Sequence, residues 1–319
     1  MKKIILIAIL FITIFFSANV SAEENIEIVC TNSVLADFTS NLITKNVTID
    51  YIMPSGVCPA YYDVKPSDIN KIVNADIIIS FGSPSMEPWL NDLLSYNENC
   101  EIIECKDMGE WNIPTGAISY IEYIKEQLVD IIPEKNQTII QNSENYILEI
   151  NDKAEQLKSY IVSNNYSDRK IISMSWQKDF LEYFGLNVIC SYAPPQSLSL
   201  RDELNITEAA SDPEVCLIID NLQSGTDFGA KVASETGAIH VIFTNFPEAI
   251  PGTDTYLDMI DYNIQQLIEG IQTYDSNQGD LKNLRNQVSE LELQRNTLGL
   301  TTIIFIVLAI IFFIFYKRK

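Results

Sequence analysis

Residues 134–163 read EKNQTIIQNSENYILEINDKAEQLKSYIVS, a stretch without glycine or proline that directly follows Pro133. Its apolar residues recur at intervals of three, four and seven, which is the spacing of one face of an α-helix. These residues are Ile140, Ile147, Ile150, Ala154, Leu157 and Ile161. A helix of this length spans about 45 Å at ~1.5 Å per residue, more than helices in globular proteins usually do. We therefore predict a helix that links two lobes; the alternative is a long surface helix.

Short apolar runs alternate with helix-like segments on both sides of this stretch. Such alternation predicts parallel sheets covered by helices, so the fold class is α/β, with two lobes joined by one long helix. The predicted strands are residues 26–30, 47–53, 75–80 and 102–103 in the first lobe, and 171–174, 187–190, 215–219 and 239–243 in the second. In such sheets, ligands bind beyond the carboxyl ends of the strands. We therefore expect a site in a cleft between the lobes.

Both ends of the chain carry segments that do not belong to a core. Residues 1–22 combine Lys2, Lys3, an apolar run and small residues before position 23, the pattern of a cleaved signal peptide. Residues 298–316 contain no charge and are long enough to span a ~30 Å hydrocarbon core as a helix. The basic residues 317–319 follow directly and favour a cytoplasmic end. We therefore expect a single-pass protein of the cell membrane whose bulk is extracellular.

These patterns divide the chain into a signal peptide (1–22), an N-terminal lobe (23–132), the linking helix (133–165), a C-terminal lobe (166–273), a helical stalk (274–297), a transmembrane helix (298–316) and a cytoplasmic tail (317–319). The polar residues 272–280, with Gly279, predict a hinge before the stalk. In the stalk, apolar residues keep a three-four spacing that Arg295 interrupts. They are Leu281, Leu284, Val288 and Leu291. The stalk is therefore either a coiled coil that forms an oligomer or a single amphipathic helix.

The predicted exterior part is strongly acidic and carries no catalytic motif. It keeps 16 of the 21 basic residues against all 43 acidic residues, a net charge of about −27. Such a surface repels nucleic acid, which is therefore excluded as a partner. The sequence has no nucleophile motif, glycine-rich phosphate loop or paired-histidine metal signature, and its single histidine, His240, lies in a predicted strand. We therefore expect no enzymatic activity.

The loops at the ends of the predicted strands carry family motifs. In the first lobe, residues 53–69 read MPSGVCPAYYDVKPSDI, residues 74–82 read NADIIISFG and residues 87–90 read EPWL. The second-lobe motifs are Phe184-Gly185-Leu186, Pro195 with Ser197, Thr236-Gly237-Ala238, residues 242–245, Tyr256 and Tyr262-Asn263. Over residues 25–272 the chain resembles the zinc- and manganese-type (cluster A-I) metal solute-binding proteins of ABC importers. This resemblance implies two α/β lobes on a long helix, a role in metal ion transport, and an ABC permease and ATPase as partners.

The same resemblance indicates that the metal-ligand positions are altered. In that family, four side chains, typically three histidines (one often glutamate) and an aspartate, hold a divalent ion between the lobes. The matching positions here are Ala60, Gly109, Met174 and Asn245. Zinc needs N, S or O donors at about 2.0–2.3 Å, and alanine and glycine side chains have none. We therefore expect a cargo other than a bare Zn²⁺ or Mn²⁺ ion.

Two substitute sites remain open. Cys58, Met174 and Tyr61 could form a site for Cu(I), because thiolate and thioether sulfur favour soft ions. Alternatively, aromatic residues could line a cleft for an organic ligand or a chelated metal, unless they are buried structural residues. They are Tyr61, Tyr62, Trp111 and Trp176. The predicted function is a membrane-anchored extracellular solute-binding protein, and the alternative is a surface interaction protein that keeps the two-lobe scaffold without transport.

Overall fold

The computed structural model describes residues 25–106 and 110–317. Within these ranges the chain forms two four-stranded sheets, and every strand pairing in them is parallel. The predicted α/β fold with two lobes is confirmed. The predicted signal peptide, residues 1–22, lies outside the described residues, as do the last two residues of the predicted tail.

The first lobe is built on a sheet with the spatial strand order β2-β1-β3-β4. Its strands are β1 (Ile26–Cys30), β2 (Val47–Tyr51), β3 (Ile77–Ser80) and β4 (Glu101–Glu104), and its helices are α1 (Ser33–Leu42), α2 (Pro66–Asn74), α3 (Leu90–Leu94) and α4 (Pro114–Ile131). All four residues of β3 are buried, as expected for an apolar central strand covered on both faces. The helix α1 begins where Asn32 caps it, since the Asn32 side-chain oxygen accepts a hydrogen bond from the backbone N–H of Leu35 at 3.1 Å.

The second lobe repeats this strand order, as β6-β5-β7-β8. The linking helix α5 (Asn136–Ser163) is followed by β5 (Lys170–Met174), α6 (Ser175–Tyr183), β6 (Asn187–Tyr192), α7 (Leu200–Ala210), β7 (Val215–Asn221), α8 (Asp227–Thr236), β8 (Ile239–Phe243) and α9 (Tyr256–Lys317). Every residue of the central strand β7 is buried. The order places the two central strands of each sheet side by side, so their carboxyl ends meet at one edge of the lobe.

The linking helix α5 is one unbroken helix of 28 residues, entered through a 3-10 turn at Pro133–Lys135. Its buried residues are Ile139, Ser143, Tyr146, Ile150, Ala154 and Ile161. The prediction that Ile140 lies on this face is wrong, because that side chain is 41% exposed. The neighbouring Ile139 is buried in its place, and the buried face continues through Ser143 and Tyr146, which the pattern did not include. Tyr146 is buried there with its hydroxyl donating to Asp37 Oδ2 at 2.7 Å.

The helix α9 runs for 62 residues and continues through the predicted hinge. The expected break near Gly279 is therefore wrong; a single glycine inside a helix costs only about 1 kcal/mol relative to alanine and does not end it. The first part of α9 packs into the second lobe, with Ile264, Leu267 and Ile271 fully buried. Beyond residue 274 the described side chains of α9 are exposed, and its apolar end is long enough to be a candidate membrane span.

The two lobes share one buried apolar cluster. Phe38 of α1 packs edge-on against Tyr256 at the start of α9, with ring centroids 5.1 Å apart. Trp111 of the first lobe lies 5.5 Å from Phe246 of the second. Ser33 Oγ donates to the carbonyl of Pro247 at 2.9 Å. The lobes are therefore packed against each other and not merely connected by α5.

Candidate functional site

A cavity of about 320 Å³ opens between the lobes, where the loops that follow the strands of both sheets meet. The position agrees with the rule that ligands bind beyond the carboxyl ends of parallel strands. Six of the residues singled out in the sequence line the cavity. They are Cys58, Ala60, Tyr61, Trp111, Trp176 and Asn245. The fold thus brings together residues that lie far apart in the chain.

Two matching positions and one aromatic candidate do not contribute to the described cavity wall. Met174 is fully buried and packs in the apolar cluster of the second lobe with Ile172 and Ile218. Its sulfur atom therefore does not share the cavity wall with Cys58. Tyr62 is buried beside the wall, and Gly109 lies outside the described residues.

The first-lobe wall is a short 3-10 turn, Pro59–Tyr61, which presents Ala60 to the cavity. A buried hydrogen bond fixes this turn, since Trp89 Nε1 donates to the carbonyl of Pro59 at 3.0 Å. The next residue, Tyr62, donates its hydroxyl to Asp68 Oδ2 at 2.6 Å. Burial, together with that carboxylate, raises the pKa of Tyr62, so the hydroxyl remains a donor. The turn is therefore held rigidly by buried hydrogen bonds.

A second first-lobe loop follows β3 and brings Ser85 and Met86 to the cavity. The carboxyl group of Glu87 closes this loop by accepting the backbone N–H groups of Phe81 at 3.3 Å and Gly82 at 3.2 Å. Glu87 is buried, and this burial raises the pKa of its carboxyl to about 7. The loop conformation thus depends on a carboxyl group that titrates near neutral pH.

The second-lobe wall includes side-chain amides that take part in a hydrogen-bond network. Gln177 Nε2 donates to Asn245 Oδ1 at 2.8 Å, and Asn221 Nδ2 donates to Gln223 Oε1 at 3.0 Å. Gln223 Nε2 donates in turn to Thr244 Oγ1 at 2.9 Å. These amides carry no charge, and most of their donors and acceptors are already used. The wall therefore has hydrogen-bonding character without a charge to stabilise an ion.

Hydrogen bonds also cross between the lobes at the cavity. Trp111 Nε1 donates to the carbonyl of Asn245 at 2.8 Å, and Gln223 Nε2 donates to the carbonyl of Ser55 at 2.8 Å. Asn112 Nδ2 donates to the carbonyl of Trp176 at 3.0 Å. Each of these bonds joins a first-lobe residue to a second-lobe residue. They hold the cavity walls at a fixed separation.

Several site residues escaped the sequence analysis. Asn221 is the last residue of β7 and Gln223 lies in the turn that follows it, a position that the strand-end rule marks, but neither residue type suggested a role. Gln177 lies on α6 and reaches Asn245 across 68 positions of sequence, which no local pattern indicates. Across residues 25–106 and 110–317, no group of three or more His, Cys, Asp or Glu side chains could hold a metal ion.

Comparison with known proteins identifies the family to which the chain is similar. The family model described as zinc-uptake complex component A periplasmic (ZnuA) matches residues 28–270. The manganese-binding lipoprotein MntA of Halalkalibacterium halodurans is 21% identical over 310 residues, covering 85% of this chain and 99% of the relative. The iron ABC transporter substrate-binding lipoprotein MtsA of Streptococcus pyogenes is 24% identical over 319 residues, with the same coverage.

Solved structures show the same fold. The cadmium-bound periplasmic metal binding protein of Candidatus Liberibacter asiaticus has a TM-score of 0.67 and 21% identity, covering 77% of this chain and 99% of that chain. A crystal structure of ZnuA gives a TM-score of 0.66 at 16% identity. The resemblance inferred from the loop motifs is confirmed, and so is the expectation that the chain is not an enzyme. Because the family model spans most of the chain, this protein belongs to the ZnuA family, the substrate-binding components of metal ABC importers.

Proposed function

We propose that this chain is a membrane-anchored, extracellular substrate-binding protein of a metal-type ABC importer, and that its cargo is not a bare Zn²⁺ or Mn²⁺ ion. Proteins of this class deliver their cargo to a permease that is driven by an ATPase, which are the partners expected here. The alternative of a surface interaction protein without transport is not favoured by the relatives, since several are named as transporter substrate-binding proteins.

The proposal rests mainly on the side chain of Asn245, which is uncharged and already hydrogen-bonded at a position that matches a metal ligand. Of the matching positions on the cavity wall, Asn245 alone keeps a polar side chain, and its Oδ1 atom accepts from Gln177 Nε2. Ala60 offers only a methyl group, and Met174 is buried elsewhere. A divalent ion placed here would lose its hydration shell without gaining a carboxylate or imidazole, and burying an unpaired charge costs many kcal/mol.

Calorimetry on the metal-stripped full-length protein in detergent tests this proposal. We expect Zn²⁺ and Mn²⁺ to bind no more tightly than micromolar, through surface carboxylates. A single saturable site of nanomolar affinity would contradict it. As a control, the double variant Ala60→His with Asn245→Asp restores two ligands at matching positions. It should bind Zn²⁺ more tightly than the parent if these positions are correctly matched.

The anchoring part of the proposal is supported by α9, whose apolar end is long enough to cross a membrane and has no described side chain buried within the protein. Two relatives are named lipoproteins, so a membrane anchor is expected in this class of protein. We therefore assign anchoring to residues 298–316, preceded by a signal peptide at 1–22. Protease added to intact cells should release a soluble fragment, and protection of that fragment would contradict this topology.

The stalk, residues 274–297, is assigned to pairing with a second copy of the chain. Leu281, Leu284, Val288 and Leu291 are exposed at coiled-coil spacing, although the first two also line a groove against the second lobe. Anchoring by the following segment would orient all copies in the same direction. A parallel coiled coil satisfies both conditions.

A further inference from the structure

We infer that the cavity between the lobes binds an uncharged, ring-shaped organic molecule, which hydrogen-bonds to side-chain amides and stacks on an exposed indole. The inference rests on the proposed function and deepens it, since it names the class of cargo. Four features of the described cavity wall support it: the absence of charged side chains, the size of the cavity, an unpartnered aromatic face and an unpartnered amide atom.

The described cavity wall carries no charged side chain. Its polar groups are amides, hydroxyls and a thiol, which belong to Gln196, Asn221, Gln223, Asn245, Tyr61, three serine residues and Cys58. A charged ligand, whether a metal ion or a carboxylate, would leave water without meeting an opposite charge. A neutral ligand avoids that cost and can use the same amides as hydrogen-bond partners.

The size of the cavity indicates the size of the ligand. A volume of about 320 Å³ would hold roughly ten water molecules at ~30 Å³ each. A bare ion would fill a small part of this space. A ring with its substituents, on the order of ten non-hydrogen atoms by the same measure, would fill most of it.

Two aromatic side chains at the cavity have uncovered surface. Trp176 is 39% exposed and Tyr61 is 69% exposed, and neither makes a ring contact within the described chain. Trp111, by contrast, is stacked on Phe81 with centroids 4.5 Å apart and an interplanar angle of 25°. A ring that stacks on Trp176 would remove a large apolar face from water and gain the preferred geometry of aromatic contacts. Trp176 is therefore the stacking surface, and Trp111 is a fixed wall.

Asn245 supplies the hydrogen bond that orients the ligand. The residue is only 6% exposed, and Gln177 engages one polar atom of its side-chain amide. The other polar atom, Nδ2, has no partner among the described residues. If both amides are reversed, Asn245 Nδ2 donates to Gln177 Oε1 and Asn245 Oδ1 becomes the free atom. Nδ2 is not among the fully buried unpartnered atoms, so it is accessible from the cavity, where a ligand can bond to it.

Matched pairs of neutral and charged probes test the inference. The probes are nicotinamide with nicotinate, and methyl β-D-glucopyranoside with D-glucuronate, titrated into the full-length protein in detergent. Binding is followed by calorimetry and by tryptophan fluorescence. We expect at least one neutral probe to bind with millimolar or better affinity, and its charged counterpart to bind at least about tenfold more weakly because the wall offers no countercharge. Preference for a charged member, or no binding of either neutral probe at millimolar concentration, would overturn the inference.

Variants localise the binding. Trp176→Ala should lower the affinity for the neutral probe about tenfold, because the stacked face is lost. Asn245→Leu should also lower this affinity, because the free amide atom is lost. Tyr96→Ala removes an exposed aromatic outside the cavity and should change nothing. Unchanged affinity in Trp176→Ala would overturn the assignment.

The two proposals fail in different ways. A nanomolar Zn²⁺ site in the unmodified chain would contradict the proposed function and this inference together. Preference for nicotinate over nicotinamide with weak metal binding would overturn this inference alone.

Discussion

Replacing Glu87 with glutamine should stabilise the protein at alkaline pH and have no effect at acid pH. Burial raises the pKa of the Glu87 carboxyl to about 7 from its ordinary value of 4.5. A carboxyl whose folded-state pKa is raised favours folding in its protonated form. Its stabilising contribution is therefore complete below about pH 4.5 and is lost as the pH rises through 7.

The size of the effect follows from the shift. Each pKa unit corresponds to about 1.4 kcal/mol, so the folded state loses roughly 3 kcal/mol of stability between the two pKa values. Glutamine keeps an oxygen that can accept the backbone N–H of Phe81 or Gly82, but it carries no charge. Glu87→Gln should therefore be up to about 3 kcal/mol more stable than the parent at pH 8, and nearly equal to it at pH 4.5.

Denaturant unfolding of the full-length protein, followed by tryptophan fluorescence across this pH range, measures the difference. Burial raises the pKa of the Asp37 carboxyl to about 6. This group is present in both proteins, so its contribution to the pH dependence cancels in the comparison. Glu101→Gln, a change on the exposed side of β4, serves as the control and should leave the pH profile unchanged. Equal pH profiles for Glu87→Gln and the parent, or a less stable variant at pH 8, would refute the reasoning.

Three further substitutions test the packing and the stalk. Gly229→Ala should lower the free energy of unfolding by about 1–3 kcal/mol, because a Cβ atom would lie 2.1 Å from Asp220 Oδ2. Gly56→Ala is the control, since a Cβ atom there meets open space, and thermal melts should show little change. Tyr256→Phe should gain about 1 kcal/mol, since the buried hydroxyl has no partner within the described chain; a lower melting temperature would count against this. Chemical crosslinking of the full-length protein should trap dimers that pair through the stalk, and Leu284→Asp should abolish them. Persistence of the dimers in this variant would exclude the coiled coil.

The strands were predictable because their signal is local. Apolar runs bounded by polar residues marked every strand of both sheets, and helices between them required parallel pairing. The helix α7 was missed because Leu200 and Leu204 are exposed and only Ile206 and Ala210 face the core. Its start was nevertheless marked by Ser199, whose hydroxyl caps the helix and binds Asp202.

The site was predictable only in outline. The strand-end rule placed the loops of both lobes at one cleft, and the motif matches selected residues that do line it. The amide network could not be predicted, because glutamine and asparagine are common surface residues whose partners depend on tertiary contacts. Gln223, for instance, bonds across the lobes to Ser55, 168 positions away.

The unbroken α9 has a consequence for delivery of the cargo. A flexible tether would let the binding lobes sweep a large volume above the membrane, whereas this helix acts as a rigid spacer. Residues 275–297 hold the lobes roughly 35 Å from the proposed span at ~1.5 Å per residue. For a span held against the permease in one orientation, the direction in which the cleft faces is then set by the number of residues in the helix. Inserting two residues into the stalk would turn the cleft by about 200°, whereas inserting seven would raise it and restore its direction to within about 20°. Handover of cargo should thus depend on the angular position of the cleft around the stalk more than on its height.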